Sequence, residues 1–265
     1  MTHPEISDSY DAYSAVYDIV LPRDPAEQGF WTALAPTGQL CEIGCGTGRI
    51  TELLVATAEV VGVDISESML ARAQTRLGAQ ARFVLGDMRH LPFEDRTFDW
   101  LVVPRGALTH LLTRSEQLDA LSEFWRVLRP GGAAVVDIPQ LMSATDALAT
   151  DVPLAPRYAV ETNRGRYEVS VGTHFDDHAE VVTYRYVVTV PSAGGVAHDV
   201  SFELATSVLS AEDLLDMAGE VGLAMKSCFG GYANDPILTS SPRVLAVFER
   251  VNSRHLPIDS EGKTA

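Results

Sequence analysis

Cysteine is scarce in this chain, and basic residues are outnumbered. Three cysteines, Cys41, Cys45 and Cys228, stand among 265 residues. An odd, sparse set excludes a disulfide framework. Cys41 and Cys45 have no partner Cys or His pair nearby, so no zinc site is expected. Lys and Arg number 20 against 36 Asp and Glu, a formal charge of −16. A field of that sign opposes nucleic acid and anionic membranes, and mildly favours cationic small ligands. No window approaches the roughly 18 apolar residues of a membrane span. The N-terminus, MTHPEISDSY, lacks a basic stretch followed by an apolar one, so no secretory signal is read and a cytoplasmic location is expected. No internal repeat is visible.

What is present is organised around Gln39–Arg49, QLCEIGCGTGR. It reads as a buried strand, Gln39–Gly44, entering a glycine turn that opens a helix over Gly46–Thr57. Glu59–Asp64 is the second strand. Ser66 N-caps a helix to Leu77 with Met69, Leu70, Ala73 and Leu77 inward. Ala81–Gly86 and Phe98–Val103 are strands three and four. Thr113 and Glu116 form a capping box for a helix to Leu128, which Arg129-Pro130-Gly131-Gly132 stops. Ala133–Ile138 is strand five. This alternation predicts an α/β fold with a parallel, doubly wound sheet.

Both ends depart from that rhythm. Before it, Tyr10, Tyr13 and Tyr17 recur on one helix face, read either as rings on a core or as a lid facing a ligand. After it, residues 139–160 read as irregular and Pro-containing. Three strand-like runs follow, YEVSVGTHF, EVVTYRYVVTV and HDVSFELATSV, with turns at Asp176–Ala179 and Pro191–Ala197. Ser210 caps a helix to Gly222, and Leu223–Phe229 with Arg243–Val251 form a closing antiparallel pair. The expected organisation is an N-terminal helical lid over 1–38, a ligand-binding α/β domain over 39–140 and 208–251, an inserted β meander over 141–207, and a disordered tail over 252–265.

A glycine turn between strand and helix presents backbone N–H groups to a ligand outside the carboxyl ends of the strands. The dinucleotide pattern G-x-G-x-x-G would need Gly at position 49, where Arg49 stands. A phosphate-cradling P-loop needs Lys-Ser/Thr after the glycines, which is absent. Asp64, ending strand two, can accept from both hydroxyls of a ribose, each charge-assisted bond contributing roughly 1.5–3 kcal/mol. The bland alternative is an acid serving the helix dipole. Asp87 can accept from an exocyclic amine of a base, with Met69 or Met88 on the ring face; for Met69, core packing is the alternative.

EIGCGTGR, VVGVDIS, VLGDMRHLPFEDRTFDWLVV and RVLRPGG, in this order over about residues 39–138, resemble the class I S-adenosylmethionine-dependent methyltransferases. The resemblance implies a Rossmann-like, seven-stranded sheet with a reversed final hairpin, and S-adenosylmethionine as cofactor. Carried over by position, Gly44, Cys45, Gly46 and Gly48 line its methionine moiety. Asp64 holds the ribose. Asp87 and Met88 meet the adenine, and Pro104 and Arg105 flank the methyl group. Glu42, Ile65, Met69 and Gly86 are further candidates to bind the cofactor. The N-terminal tyrosines and the late insert look like the small-molecule branch, which includes glycine and amino-sugar N-methyltransferases. Tyr17 and Arg23 are then candidates for the cofactor's carboxylate end.

Methyl transfer from a sulfonium has a good leaving group, so positioning dominates, and a base is needed only for a protonated nucleophile. His110, shortly after strand four, is the base candidate; an exposed loop histidine is the plain alternative. Tyr13 is a candidate to orient the substrate. The run HFDDH, His174 to His178, suggests a metal, but a polar hairpin turn accounts for it and no metal is expected. The expected activity is O- or N-methylation of a small molecule in specialised metabolism such as antibiotic biosynthesis. A methyltransferase-like cyclase or isomerase that keeps the cofactor is the alternative. A nucleic-acid methyltransferase is disfavoured by charge and by Val103-Pro104-Arg105-Gly106, which stands where an N/D-P-P-Y/F tetrapeptide would. A homodimer through the insert is left open.

Overall fold

Each apolar strand from Gln39 onward is followed by a segment that returns the chain to the same sheet edge, which makes neighbouring strands parallel. The structure, a computed structural model, describes residues 4–140, 151–192 and 196–251. The tail expected from residue 252 and the first part of the insert, 141–150, lie outside them. In order, the elements are helices α1 (Pro4–Val20) and α2 (Pro25–Leu34), strand β1 (Gln39–Ile43), α3 (Thr51–Leu54), β2 (Glu59–Asp64), α4 (Glu67–Leu77), β3 (Arg82–Leu85) and β4 (Phe98–Val103). Then come α5 (Arg114–Val127), β5 (Leu128–Pro139), β6 (Val152–Thr162), β7 (Gly165–Asp176), β8 (Val181–Val190), β9 (His198–Ser207), α6 (Ala211–Val221), β10 (Leu223–Phe229) and β11 (Arg243–Arg250).

Among the described residues the main sheet has seven strands in the order β10-β11-β5-β4-β1-β2-β3. β1, β2, β3, β4 and β5 are mutually parallel, and β11 is antiparallel to both β5 and β10. The Rossmann-like sheet and its reversed final hairpin therefore stand as the sequence predicted. The chain runs outward from β1 to β3 and returns to β4 beside β1. That reversal opens a crevice between the carboxyl ends of β1 and β4, the usual place for a ligand in such sheets.

The predicted helix over Gly46–Thr57 is much shorter. Gly44, Gly46 and Gly48 have φ of 66°, 53° and 77°, a left-handed conformation that a right-handed helix cannot contain. The turn therefore continues to Ile50, and α3 holds only Thr51–Leu54. The predicted caps are in place. Ser66 Oγ accepts from Met69 N–H at 3.3 Å and Ser210 Oγ from Asp213 N–H at 3.0 Å. Thr113 and Glu116 satisfy each other's backbone N–H groups. On α5, Leu121 and Phe124 are fully buried, each burial contributing roughly 1.5–3 kcal/mol.

A second sheet, β6-β7-β8-β9, is antiparallel. Its strand β6 lies within residues read from sequence as irregular. Pro153 and Pro156 obscured it, because proline cannot donate to a ladder. β6 is an edge strand with register shifts between Val152 and Ala155 and between Pro156 and Tyr158, where proline is tolerated. Helix α1 packs Tyr13, Val16 and Val20 against Tyr167, Val169, Val188, Phe202 and Leu204 of this sheet.

Thr113→Ala removes one half of the α5 capping box. It should cost about 1 kcal/mol and lower the melting temperature by roughly 2–4 °C, measured by thermal denaturation.

Candidate functional site

The crevice at the β1/β4 reversal opens into a cleft that is open to solvent. Tyr13, Tyr17, Glu42, Gly44, Cys45, Gly46, Asp64, Ile65, Met69, Gly86, Asp87, Met88, Pro104, Arg105 and His110 all line it. Two predicted residues do not. Arg23 is about half exposed and pairs with Glu52 of α3, so it stands apart from the cleft. Gly48 turns away: an added Cβ would lie 3.1 Å from Leu77 Cδ1 and 3.2 Å from Ala73 Cβ of α4. Its smallness serves helix packing. Tyr10, Arg49, Arg89, Leu111 and Glu116 also line the cleft.

Asp64, at the end of β2, accepts from Gly46 N–H at 2.8 Å and from Ser66 N–H at 2.9 Å. Burial pushes its carboxyl up, while these backbone bonds oppose the rise. Each oxygen has capacity left for a ligand hydroxyl. Glu42, at the end of β1, is buried and accepts from Thr51 Oγ at 2.5 Å. Burial, reinforced by Asp64, pushes its carboxyl up from an ordinary 4.5 to about 8. It is mainly neutral at pH 7 and presents an O–H as well as an acceptor.

Asp87 does not stand free. Arg89 grips both its oxygens, with Nε at 3.0 and 3.1 Å and Nη2 at 2.6 Å. The same guanidinium reaches Glu116 of α5 at 2.6 Å. Burial works to raise the Asp87 carboxyl, but these contacts outweigh it and hold it below the ordinary value. A base amine at Asp87 would share that carboxylate with Arg89.

At the other end, Arg49 and Arg105 converge on Glu27 of α2, which is fully buried. Arg105 Nη1 donates to it at 2.6 Å and Arg49 Nη2 at 3.3 Å. The Tyr232 hydroxyl lies 2.8 Å from an Asp137 oxygen and 3.1 Å from a Glu27 oxygen, its one proton shared between the two carboxyls. Asp137 also accepts from Arg105 N–H at 2.9 Å and Arg243 Nε at 3.1 Å. Arg105 has φ of 54° and Gly106 of 75°. This pair of left-handed residues after β4 swings the chain across the cleft floor.

That turn ends in a short 3₁₀ segment, Ala107–His110. His110 Nδ1 lies 3.3 Å from the carbonyl oxygen of Ala205 on β9. A carbonyl only accepts, so Nδ1 carries the proton and Nε2 is left with a lone pair. Burial lowers the pKa of His110, keeping the ring neutral at physiological pH. Tyr10 stands edge-on to it at 6.0 Å between ring centres. The three tyrosines line the cleft while Tyr13 packs on Phe202 at 4.9 Å, so α1 serves as core helix and cleft wall at once. Burial raises the phenols of Tyr10 and Tyr13, and that of Tyr17 to about 12. They are hydroxyl donors, and Tyr13 does not act as a base. At the HFDDH run, Asp176 accepts from the N–H groups of His178 and Ala179, each at 3.0 Å. Its carboxylate closes a hairpin turn.

The donor set fits S-adenosylmethionine. Asp64 can accept from a diol. Met69, Met88 and Ile65 give an adenine apolar and sulfur-bearing walls. Arg49 and Arg105 offer positive charge to a carboxylate, and the buried Nε of Arg49 has no partner among the described residues. The tyrosine faces suit a cationic centre.

Comparison with known proteins agrees. Residues 40–132 match the family described as "Methyltransferase domain". A Bacillus subtilis (strain 168) protein assigned to the methyltransferases, YqeM, is 31% identical over 137 residues, which are 49% of this chain and 55% of that protein. The chain spans about half the length of the curated relatives it matches. An S-adenosylmethionine-dependent methyltransferase from Clostridium acetobutylicum ATCC 824 superposes with a TM-score of 0.77 at 17% identity, covering 92% of this chain and 99% of that one. CalS10, an amino pentose methyltransferase of Micromonospora echinaspora bound to S-adenosylmethionine, gives 0.68 at 20%, covering 90% and 96%. At such identities these two likenesses establish the fold.

The buried Glu42 has a measurable signature. Its folded pKa is raised, so the folded chain keeps a proton that the unfolded chain releases between about 4.5 and 8. Its contribution is therefore most favourable below that window and is lost as pH rises through it. Glu42→Gln removes this dependence. The melting temperature of the native chain minus that of the variant should fall steadily from pH 5 to pH 8, then level off.

Proposed function

We propose, for a chain whose residues 40–132 match a methyltransferase-domain family, the S-adenosylmethionine-dependent transfer of a methyl group to an oxygen or nitrogen of a small molecule. The observation that carries this reading is His110, whose Nδ1 faces the Ala205 carbonyl and whose Nε2 has no hydrogen-bond partner among the described residues, in the same cleft as the glycine turn and Asp64.

In this reading Asp64 receives the ribose hydroxyls, and Gly44–Gly46 bring backbone against the amino-acid part. Met88 and Asp87 bound the adenine. Arg49 and Arg105 take the place assigned to Arg23 at the carboxylate. When bound, the cofactor supplies an electrophilic methyl on a sulfonium. The protein's part is to hold an acceptor in line, exclude water and take one proton. α1 and β9 wall the cleft and exclude water. Tyr10 and Tyr13 orient the acceptor through their hydroxyls. His110 Nε2 accepts the proton of the acceptor's hydroxyl or ammonium. Such a base contributes typically 10²–10⁴-fold, and alignment of the two reactants roughly 7–11 kcal/mol.

A small acceptor is supported by the charge of −16, which opposes polyanions, and by the α1 tyrosines that line the cleft. CalS10 serves an amino pentose in calicheamicin biosynthesis, which supports placing this chain in specialised metabolism. No helix among the described residues is long and apolar enough to cross a membrane. The β6–β9 sheet is proposed as the subdomain that shapes the acceptor's side of the cleft and, secondarily, as a surface for pairing copies.

S-adenosylhomocysteine at 100 times its dissociation constant should stabilise the fold by about 2.7 kcal/mol. Asp64→Ala should weaken that binding by roughly 1.5–3 kcal/mol for each hydroxyl bond lost; calorimetric titration reads both. Absence of any stabilisation in folded protein would remove the cofactor assignment. Mass spectrometry of turnover product should show the gain of one methyl; an isomer of unchanged mass would instead indicate the cyclase alternative.

A further inference from the structure

A buried glutamine on the apolar stripe of a helix is costly unless both its amide hydrogens find acceptors. Gln117 of α5 is 4% exposed. Its Nε2 donates to the carbonyl of Leu111 at 2.9 Å and to Ser207 Oγ at 2.9 Å. Ser207 of β9 is 6% exposed, and its hydroxyl, which accepts from Gln117, donates to the carbonyl of Thr109 at 3.1 Å. The bonds run in one direction, from Gln117 through Ser207 to the backbone. Their two endpoints are the carbonyls on either side of His110.

The third anchor comes from the same strand. Ala205, whose carbonyl accepts from His110 Nδ1, is two residues before Ser207. In a pleated strand, that spacing puts their side chains on the same face. The peptide before His110, the carbonyl of the residue after it and the ring itself are thus held by β9 and α5. Neither Gln117 nor Ser207 lines the cleft.

We propose that Gln117 and Ser207 are positioning residues for His110, fixing its backbone so that the ring stays on the Ala205 carbonyl with Nε2 turned to the acceptor. The role rests on the reading of His110 as base. Loss of either side chain removes one of the anchors on the segment between Thr109 and Leu111 and loosens it. The ring then leaves Ala205, populates both tautomers and meets more water. Tyr10, from α1, is the titratable group packed against the ring, and it is untouched by either substitution.

The test follows the His110 ring by NMR in the full chain, its signal assigned by His110→Gln. In the native protein the ring should be the Nδ1–H tautomer and titrate below the ordinary value of about 6.5. In Ser207→Ala and in Gln117→Met it should show mixed tautomers, with its titration moved up by about half a pH unit or more. The kcat should fall about tenfold, its acid limb shifting with the ring, while KM for S-adenosylmethionine holds. Ser207→Thr, which keeps the hydroxyl, should restore tautomer and rate. Native tautomer, titration and kcat in both loss variants would overturn the proposal. If Ser207→Ala fails to fold, Gln117→Met alone decides. If the tautomer shifts as expected but His110→Gln retains full rate, positioning stands and the base reading falls.

Discussion

One carboxylate holds the architecture of the cleft together. Asp64 takes the N–H of Gly46 from the turn after β1 and the N–H of Ser66 from the start of α4. Two chain segments are thereby tied to one pair of oxygens. Three left-handed glycines make the turn possible; the acid selects which of its many closures persists. A residue read from sequence as a ligand contact is therefore also part of the scaffold. Glu42 repeats the arrangement one strand away, its carboxyl joining β1 to the first residue of α3.

The wall of the cleft is built from both ends of the chain. Asp18 of α1 receives Thr47 Oγ at 3.1 Å and the guanidinium of Arg76, so the lid is fastened to the glycine turn and to α4. Its aromatic face meanwhile rests on the β6–β9 sheet. From α2, Glu27 gathers Arg49 and Arg105. Burying a carboxylate there is tolerable because two guanidinia and a phenol surround it, and loss of a partner from such a buried group costs far more than from an exposed pair.

Most of the main sheet was legible because buried parallel strands read as continuous apolar runs and because caps are local chemistry. Ser66, Thr113 and Ser210 needed no tertiary information. The errors have a common physical source. The short α3 depends on φ angles that three glycines permit but do not announce. β6 is a strand because its neighbour pairs with it, despite its own prolines. Arg23 was favoured for its place after the lid, yet the side chain that enters the cleft is Arg49, noticed only for the glycine it replaced. Gln117 looked like an ordinary helix residue; its role lies in two carbonyls that only the fold brings near. Asp87 was foreseen as an acceptor, but not the Arg89 grip that shares it.

The prolines of β6 carry a further consequence. An exposed outer strand offers free donors and acceptors to any passing chain, which is how sheets grow into aggregates. At Pro153 and Pro156 the donor is missing, and the two register shifts beside them kink the rim. A second copy adding to this edge would meet a broken ladder. The β6 border of this sheet is thus finished by its own sequence.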